Sequence, residues 1–229
     1  MAEIVVALDL PGGTEALRLL DRLPGARWVK VGPILMTREG PALLRTLADR
    51  GHQVFLDLKW HDIPNTVAGA VRAARDLGVT MATVHTLGGV AMMRAAAEAA
   101  GEALAVVGVT VLTSHDAASY GRAVGRDRPD LGAEVERHAR AAVEAGLAGI
   151  VCSPREITRV RGVVGGRRIV VPGIRRAGEA VGDQVRVATA AEAVADGATH
   201  LVVGRPVLEA TDPAAAYQAL TEEAGCVTS

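Results

Sequence analysis

The sequence predicts an α/β fold, a single (β/α)8 barrel running over residues 1–229. Three observations predict it. Eight short apolar or β-branched runs alternate with eight Ala-, Leu-, Glu- and Arg-rich helical stretches. The length of 229 residues suits such a barrel, which typically takes about 250. Glycines stand at the helix-to-strand returns, at Gly25, Gly51, Gly78, Gly146 and Gly197, where helix ends favour them.

Taken in order, the first strand is read at residues 4–8 and its helix at 14–23. The second pair is 28–32 and 41–50, the third 54–58 and 66–77, the fourth 81–85 and 90–100. The fifth is 105–111 and 132–145, and the sixth 149–152 and 154–163, with Ser153-Pro154 as a cap and first-turn proline. The seventh is 169–171 and 189–196, and the eighth 201–204 and 213–223, opened by Asp212-Pro213. Eight βα units in one chain of this length point to a TIM barrel. A doubly wound open sheet is the main competitor, and it more often carries a Gly-rich fingerprint after its first strand. Here that strand runs into Asp9-Leu10-Pro11-Gly12-Gly13, which does not match.

Composition narrows the function classes. Hydrophobic residues make up 49% and charged residues 22%, enough for a large core. A net charge of −1 without a basic tail argues against nucleic acid as a partner. No run reaches the roughly 18 apolar residues of a membrane span, and the first residues do not read as a signal peptide. Cys152 and Cys226 form neither a metal-ligand pair nor a disulfide framework. The expected setting is cytoplasmic. The basic residues are 23 arginines and only two lysines, Lys30 and Lys59. Lysine can give up a proton at a site, whereas arginine in practice cannot.

Barrel enzymes place their sites at the C-terminal strand ends, and both lysines fall there. The first strand ends near Asp9, the second carries Lys30, and the third ends in Asp57-Leu58-Lys59 with Asp62 just beyond. His85, Thr110, Thr113 and Ser153 follow at the fourth to sixth ends. Alternation puts Phe55, Asp57 and Lys59 on one strand face and Val54, Leu56 and Leu58 on the other. Asp57 and Lys59 then point into the mouth, where each needs a partner; Lys30 and Asp62 are candidates. At the seventh and eighth ends, Gly173, Arg175, Gly204 and Arg205 suit a phosphate, since barrel loops there commonly bind one. His85 reads as a satisfied strand-end histidine, His61 as orienting or structural, Trp60 as packing, and Cys152 as a small buried apolar residue. No metal-ligand cluster is evident.

The segment Phe55-Leu56-Asp57-Leu58-Lys59-Trp60-His61-Asp62-Ile63-Pro64-Asn65-Thr66 closely resembles the signature of the orotidine 5′-phosphate decarboxylase family. The resemblance covers nearly the whole chain. It extends to Ala7-Leu8-Asp9, Val29-Lys30-Val31-Gly32, the fifth-strand end around Thr113, Val171-Pro172-Gly173-Ile174-Arg175, the stretch from Asp183 to Thr189, and Val202-Val203-Gly204-Arg205. Trp60 is bulkier than expected, and Ala190 stands where proline is common. The resemblance implies a cofactor-independent carbon–carbon lyase of pyrimidine biosynthesis that turns orotidine 5′-phosphate into uridine 5′-phosphate and carbon dioxide. It assigns Lys59 as proton donor to C6 and Asp57 to the side of the substrate carboxylate. Lys30, Asp57, Lys59 and Asp62 form a charge array. Asp9 and Lys30 contact the ribose, Thr113 lies near the pyrimidine, Gln184 bridges ring and phosphate, and Arg175, Gly204 and Arg205 hold the phosphate. On this resemblance, residues 176–183 are expected to form the mobile loop that closes over the phosphate. Asp62 and Thr66 reach the neighbouring subunit's site, which implies a homodimer.

Two other readings stay open at this stage. A magnesium-dependent sugar-phosphate lyase or synthase shares Asp-x-Lys-x-x-Asp, but it places a carboxylate where this chain has Lys30. A non-catalytic phosphate-ligand-binding barrel is expected to lack Asp57 or Lys59, and both are present.

Overall fold

The computed structural model describes residues 2–175 and 187–225. Its eight strands close into one parallel barrel in sequence order: β1 (Glu3–Ala7), β2 (Trp28–Val31), β3 (Gln53–Trp60), β4 (Met81–His85), β5 (Ala105–Val109), β6 (Gly149–Val151), β7 (Arg168–Val171) and β8 (His200–Val203). Closure runs through β1 and β8, with Glu3 beside His200 and Val6 beside Val203. All eight strand expectations coincide with these elements to within two residues at their ends.

Around the barrel lie α1 (Gly13–Asp21), α2 (Pro33–Glu39), α3 (Pro41–Asp49), α4 (Pro64–Asp76), α5 (Gly89–Ala100), α6 (Ala117–Val124), α7 (Leu131–Glu144), α8 (Ile157–Val164), α9 (Ala190–Ala195), α10 (Arg205–Leu208) and α11 (Pro213–Glu223). The sequence reading covers eight of them and omits α2, α6 and α10. Those three are short and sit inside βα connections, where no long apolar period announces them. The return glycines named above all take positive φ, between 80° and 106°, as a left-handed helix end requires.

Strand alternation divides the core in two. Outward side chains such as Val6, Val29, Val54, Leu56, Ala82 and Val84 join the helix layer in one large cluster. Inward side chains make a separate plug: Val5, Ala7, Trp28, Phe55, Met81, Val107, Val170 and Val202. An apolar floor therefore fills the barrel, and the polar residues stand above it at the C-terminal end. Among the described residues, no helix is long and apolar enough to cross a membrane.

A buried polar chain ties the long connection after β5 to the barrel. Thr86 donates to the Val109 carbonyl at 2.8 Å, so its oxygen accepts from His138 Nδ1–H at 3.1 Å. His138 Nε2 then accepts from the Tyr120 hydroxyl at 3.0 Å. α6 and α7 are thereby locked against the exit of β5. Burial, and then the nearby Arg137, push His138 down from its ordinary 6.5 to about 4. Burial, and then Arg168, do the same to His200, whose ring meets Trp28 edge-on at 5.0 Å.

These two histidines, together with His85, which burial likewise lowers to about 4, contribute a pH dependence of stability. Below pH 6.5 the unfolded chain takes up protons that the native rings refuse until about pH 4, so stability falls as pH falls through that window. Urea titrations at pH 7 and pH 4.5 are expected to differ by on the order of 1–2 kcal/mol per ring, and His200→Gln should reduce the difference. A stability that stays flat across this interval would contradict the assignment.

Candidate active site

A cavity of about 530 Å³ opens above the apolar floor, bounded by the C-terminal strand ends. Asp9, Lys30, Asp57 and Lys59 line one part of it. Arg175, Gly204 and Arg205 line another, and Thr113 contributes from the β5 connection. These eight residues, with Gly173 and Cys152, were all singled out from the sequence and share one chamber.

Asp57 is the centre of the charged part. Lys59 Nζ donates to its Oδ2 at 2.9 Å, and Lys30 Nζ lies 3.7 Å from the same oxygen. Lys30 also donates to Asp9 Oδ1 at 3.0 Å. The cluster alternates in sign, Asp9–Lys30–Asp57–Lys59, so each charge faces an opposite one. The Lys30 and Asp57 side chains are only 10% and 14% exposed. Removing one partner would leave a nearly buried charge uncompensated, a large cost. Gly32 protects the same cluster. A Cβ there would stand 3.3 Å from both Asp9 Oδ1 and Lys30 Nζ.

The second oxygen of Asp57 is served by a residue the sequence reading missed. Thr83 Oγ1 donates to Asp57 Oδ1 at 3.0 Å and accepts from the Lys59 backbone N–H at 2.8 Å. Thr83 is fully buried. No sequence signal marked it: Thr83 stands two residues beyond Met81 on the inward face of β4 and reads as an ordinary strand residue. Attention to the last residue of β4 alone selected His85 instead.

Local backbone geometry departs from simple alternation. Leu56 pairs with Ala82 but Trp60 pairs with Val84, so β3 carries extra residues between those points. Lys59 sits in this irregular stretch at φ 52°, in the left-handed region. Bulges of this kind re-aim side chains at barrel rims. Despite the irregularity, Lys59 lines the cavity with Phe55 and Asp57 while Leu58 packs against the helix layer, as alternation predicts.

The remaining candidates lie elsewhere. Asp62 and Thr66 are exposed and do not line the cavity of their own chain; Asp62 instead accepts from the Ile63 N–H at 2.6 Å. Thr110 donates to the Val151 carbonyl at 2.8 Å. Ser153 closes a capping box with Glu156. The His61 and His85 rings stack at 5.7 Å outside the cavity lining. Burial first, and then the neighbouring His61, His138, Lys59 and His115, lower His85 to about 4, so its ring is neutral at pH 7. Trp60 packs partly buried against the helix-layer core. Cys152, 1% exposed, borders the cavity. Gln184 and the 176–183 loop lie outside the described residues, as does Cys226.

At the other part of the cavity, Gly173 takes φ 84°, a value that favours glycine. Arg175 follows, 8% exposed, with Nη1 donating to the Ile174 carbonyl at 2.7 Å. A Cβ at Gly204 would meet only Ala7 Cβ, at 3.6 Å, so this glycine leaves cavity space that any side chain would fill. Two guanidinium groups beside two bare backbone stretches make a chamber end suited to a multiply charged oxyanion. The chamber thus joins an anion-binding end to a charge-alternating end across an apolar floor.

The chain is similar to known proteins over nearly its whole length. Residues 2–220 match the model of the orotidine 5′-phosphate decarboxylase / HUMPS family. An orotidine 5′-phosphate decarboxylase from Halorhodospira halophila is 52% identical over 225 residues, covering 96% of this chain and 94% of its own. One from Moorella thermoacetica is 48% identical over 231 residues, covering 96% and 91%. The crystal structure of orotidine 5′-phosphate decarboxylase from Lactobacillus acidophilus superposes with a TM-score of 0.87 at 34% identity, covering 99% of this chain and all of that one.

Proposed function

The chain belongs to the orotidine 5′-phosphate decarboxylase / HUMPS family, and from that membership we propose that its single barrel domain decarboxylates orotidine 5′-phosphate to uridine 5′-phosphate, a step of pyrimidine biosynthesis, in the cytoplasm. The observation that carries the reading is Asp57 held between Lys59 at 2.9 Å and Lys30 at 3.7 Å at the mouth of an apolar barrel.

In the proposed reaction the bond from C6 to the carboxylate carbon breaks, carbon dioxide leaves, and the electron pair stays on C6. The Lys59 ammonium stabilises that developing charge and then passes its proton to C6. The resulting amine recovers a proton from water. A preorganised cation in a water-poor site is worth far more than in bulk solvent. Asp57 lies beside the substrate carboxylate and cannot swing away, because both of its oxygens are engaged. Like charges pressed together are relieved when carbon dioxide departs. Asp9 and Lys30 take the ribose hydroxyls and Thr113 the pyrimidine edge.

Arg175, Gly204 and Arg205 take the phosphate, with Gln184 bridging phosphate and ring and residues 176–183 closing over it. Remote binding energy of this kind holds the closed state and supports the chemical step. The magnesium-dependent reading is disfavoured by Lys30, whose ammonium already stands between the Asp9 and Asp57 carboxylates. Activity abolished by a chelator would restore it.

The proposal includes a homodimer in which Asp62 and Thr66 complete the partner's site. Its support is a row of exposed apolar side chains at consecutive strand exits on the same side of the barrel: Ile34, Ile63 and Leu87, at 53%, 67% and 44% exposure. A second copy covering them would bring Asp62 from its exposed position to the neighbouring chamber.

The primary test follows the fading of the orotate chromophore when protein meets orotidine 5′-phosphate. Protein that binds uridine 5′-phosphate without fading the chromophore would be a non-catalytic barrel. Lys59→Ala should fold and lose more than about a thousandfold in kcat; full activity would eliminate the mechanism. Arg205→Ala should raise KM and lower kcat, each by about tenfold or more, and no change in either would refute the phosphate assignment. For the dimer, inactive Lys59→Ala and inactive Asp62→Ala chains are mixed and reassociated. Shared sites should restore about a quarter of wild-type activity, since half the dimers are mixed and each holds one intact site. No recovery despite subunit exchange would remove the shared-site claim.

A further inference from the structure

We propose that Thr83 is a positioning residue for the reaction, its hydroxyl fixing the Asp57 carboxylate and the Lys59 backbone relative to each other. The inference rests on the decarboxylase reading and adds to it a residue that does not line the chamber.

Proton accounting gives the hydroxyl a single consistent arrangement. A threonine has one O–H to donate and lone pairs to accept. The Lys59 N–H points at Oγ1 from 2.8 Å, which makes Thr83 the acceptor there. Its own hydrogen is then directed to Asp57 Oδ1 at 3.0 Å. With Lys59 and Lys30 on Oδ2, both carboxylate oxygens are engaged from opposite sides, and the plane of the carboxylate is set.

The same hydroxyl holds the bulge. Lys59 is a non-glycine residue at φ 52°, a conformation with a steric cost that something must offset. The N–H bond to Thr83 is made by that strained residue itself. Loss of the hydroxyl leaves two defects at once: a carboxylate oxygen without its buried donor and a backbone N–H without its acceptor. Both act on the two groups that must face the reacting carbon. Thr83 is 0% exposed and meets no substrate, so its effect passes through Asp57 and Lys59 alone.

The test uses steady-state decarboxylation and uridine 5′-phosphate binding by the full-length protein carrying Thr83→Val, Thr83→Ala or Thr83→Ser. Valine keeps the shape and removes the hydroxyl; serine returns it. Valine and alanine should each lower kcat by about ten- to a hundredfold. KM and the uridine 5′-phosphate Kd should stay within about threefold, because the phosphate end is untouched. Serine should recover kcat to within about threefold of wild type. A purely structural role would lower the melting temperature and leave kcat per folded molecule intact. The inference is overturned by wild-type kcat in the valine and alanine variants, by a loss confined to KM, or by a serine variant as slow as valine. An inactive wild-type protein would instead refute the decarboxylase reading, and this inference with it.

Discussion

The Asp57 carboxylate is the constraint on which the rest of the chamber depends. An ionised group at the rim of an apolar barrel is tolerable only when its charge and its lone pairs are met. Lys59 and Lys30 meet the charge, and Thr83 meets the remaining oxygen. Lys30, brought close, then needs a second anion of its own, which Asp9 supplies at 3.0 Å. A side chain at Gly32 would press on this outer pair, its Cβ 3.3 Å from each charged tip. One nearly buried charge therefore dictates residues on β2, β3 and β4 and in the connections after β1 and β2.

The end of β3 is irregular at the same place. Lys59 follows Asp57 by two residues, and its ammonium reaches back to Oδ2 at 2.9 Å. The register shift between Leu56 and Trp60 and the left-handed φ at Lys59 fall in this stretch. The backbone is bent where the chemistry is proposed, while Val54 and Leu56 just before it keep ordinary alternation into the helix layer.

Most of the architecture could be read from the residues because a parallel barrel strand is buried on both faces and so stands out as a short apolar run. Asp9, Lys30, Asp57 and Lys59 were legible for the complementary reason, as charges interrupting those runs at one end. Thr83 was not, because a threonine inside Met81-Ala82-Thr83-Val84 is also an ordinary β-branched strand residue. Only its hydrogen bond to Asp57 reveals it. The bulge was equally silent, since no glycine or proline marks Lys59. The short α2, α6 and α10 were missed because each sits inside a βα connection beside a longer helix that already accounts for the unit. Asp62 was read as a partner for the charges at the third strand end and Thr66 only by resemblance, and neither lines the chamber of its own chain.

The chamber also separates the two kinds of cation. Both lysines of the chain stand at the Asp57 end, while the anion-binding end is furnished with Arg175 and Arg205. Lys30 must fit between two carboxylates at 3.0 and 3.7 Å, which suits a compact ammonium better than a planar fork. Lys59 has to release a proton in the proposed reaction, and a guanidinium holds its proton too tightly to do so. At the far end the demands reverse. A phosphate is best gripped by fixed, bidentate, permanently charged groups, and proton release there would weaken the hold. A chain with 23 arginines and only these two lysines thus has lysine where a compact ammonium fits between carboxylates and, in the proposed reaction, where a proton is given up.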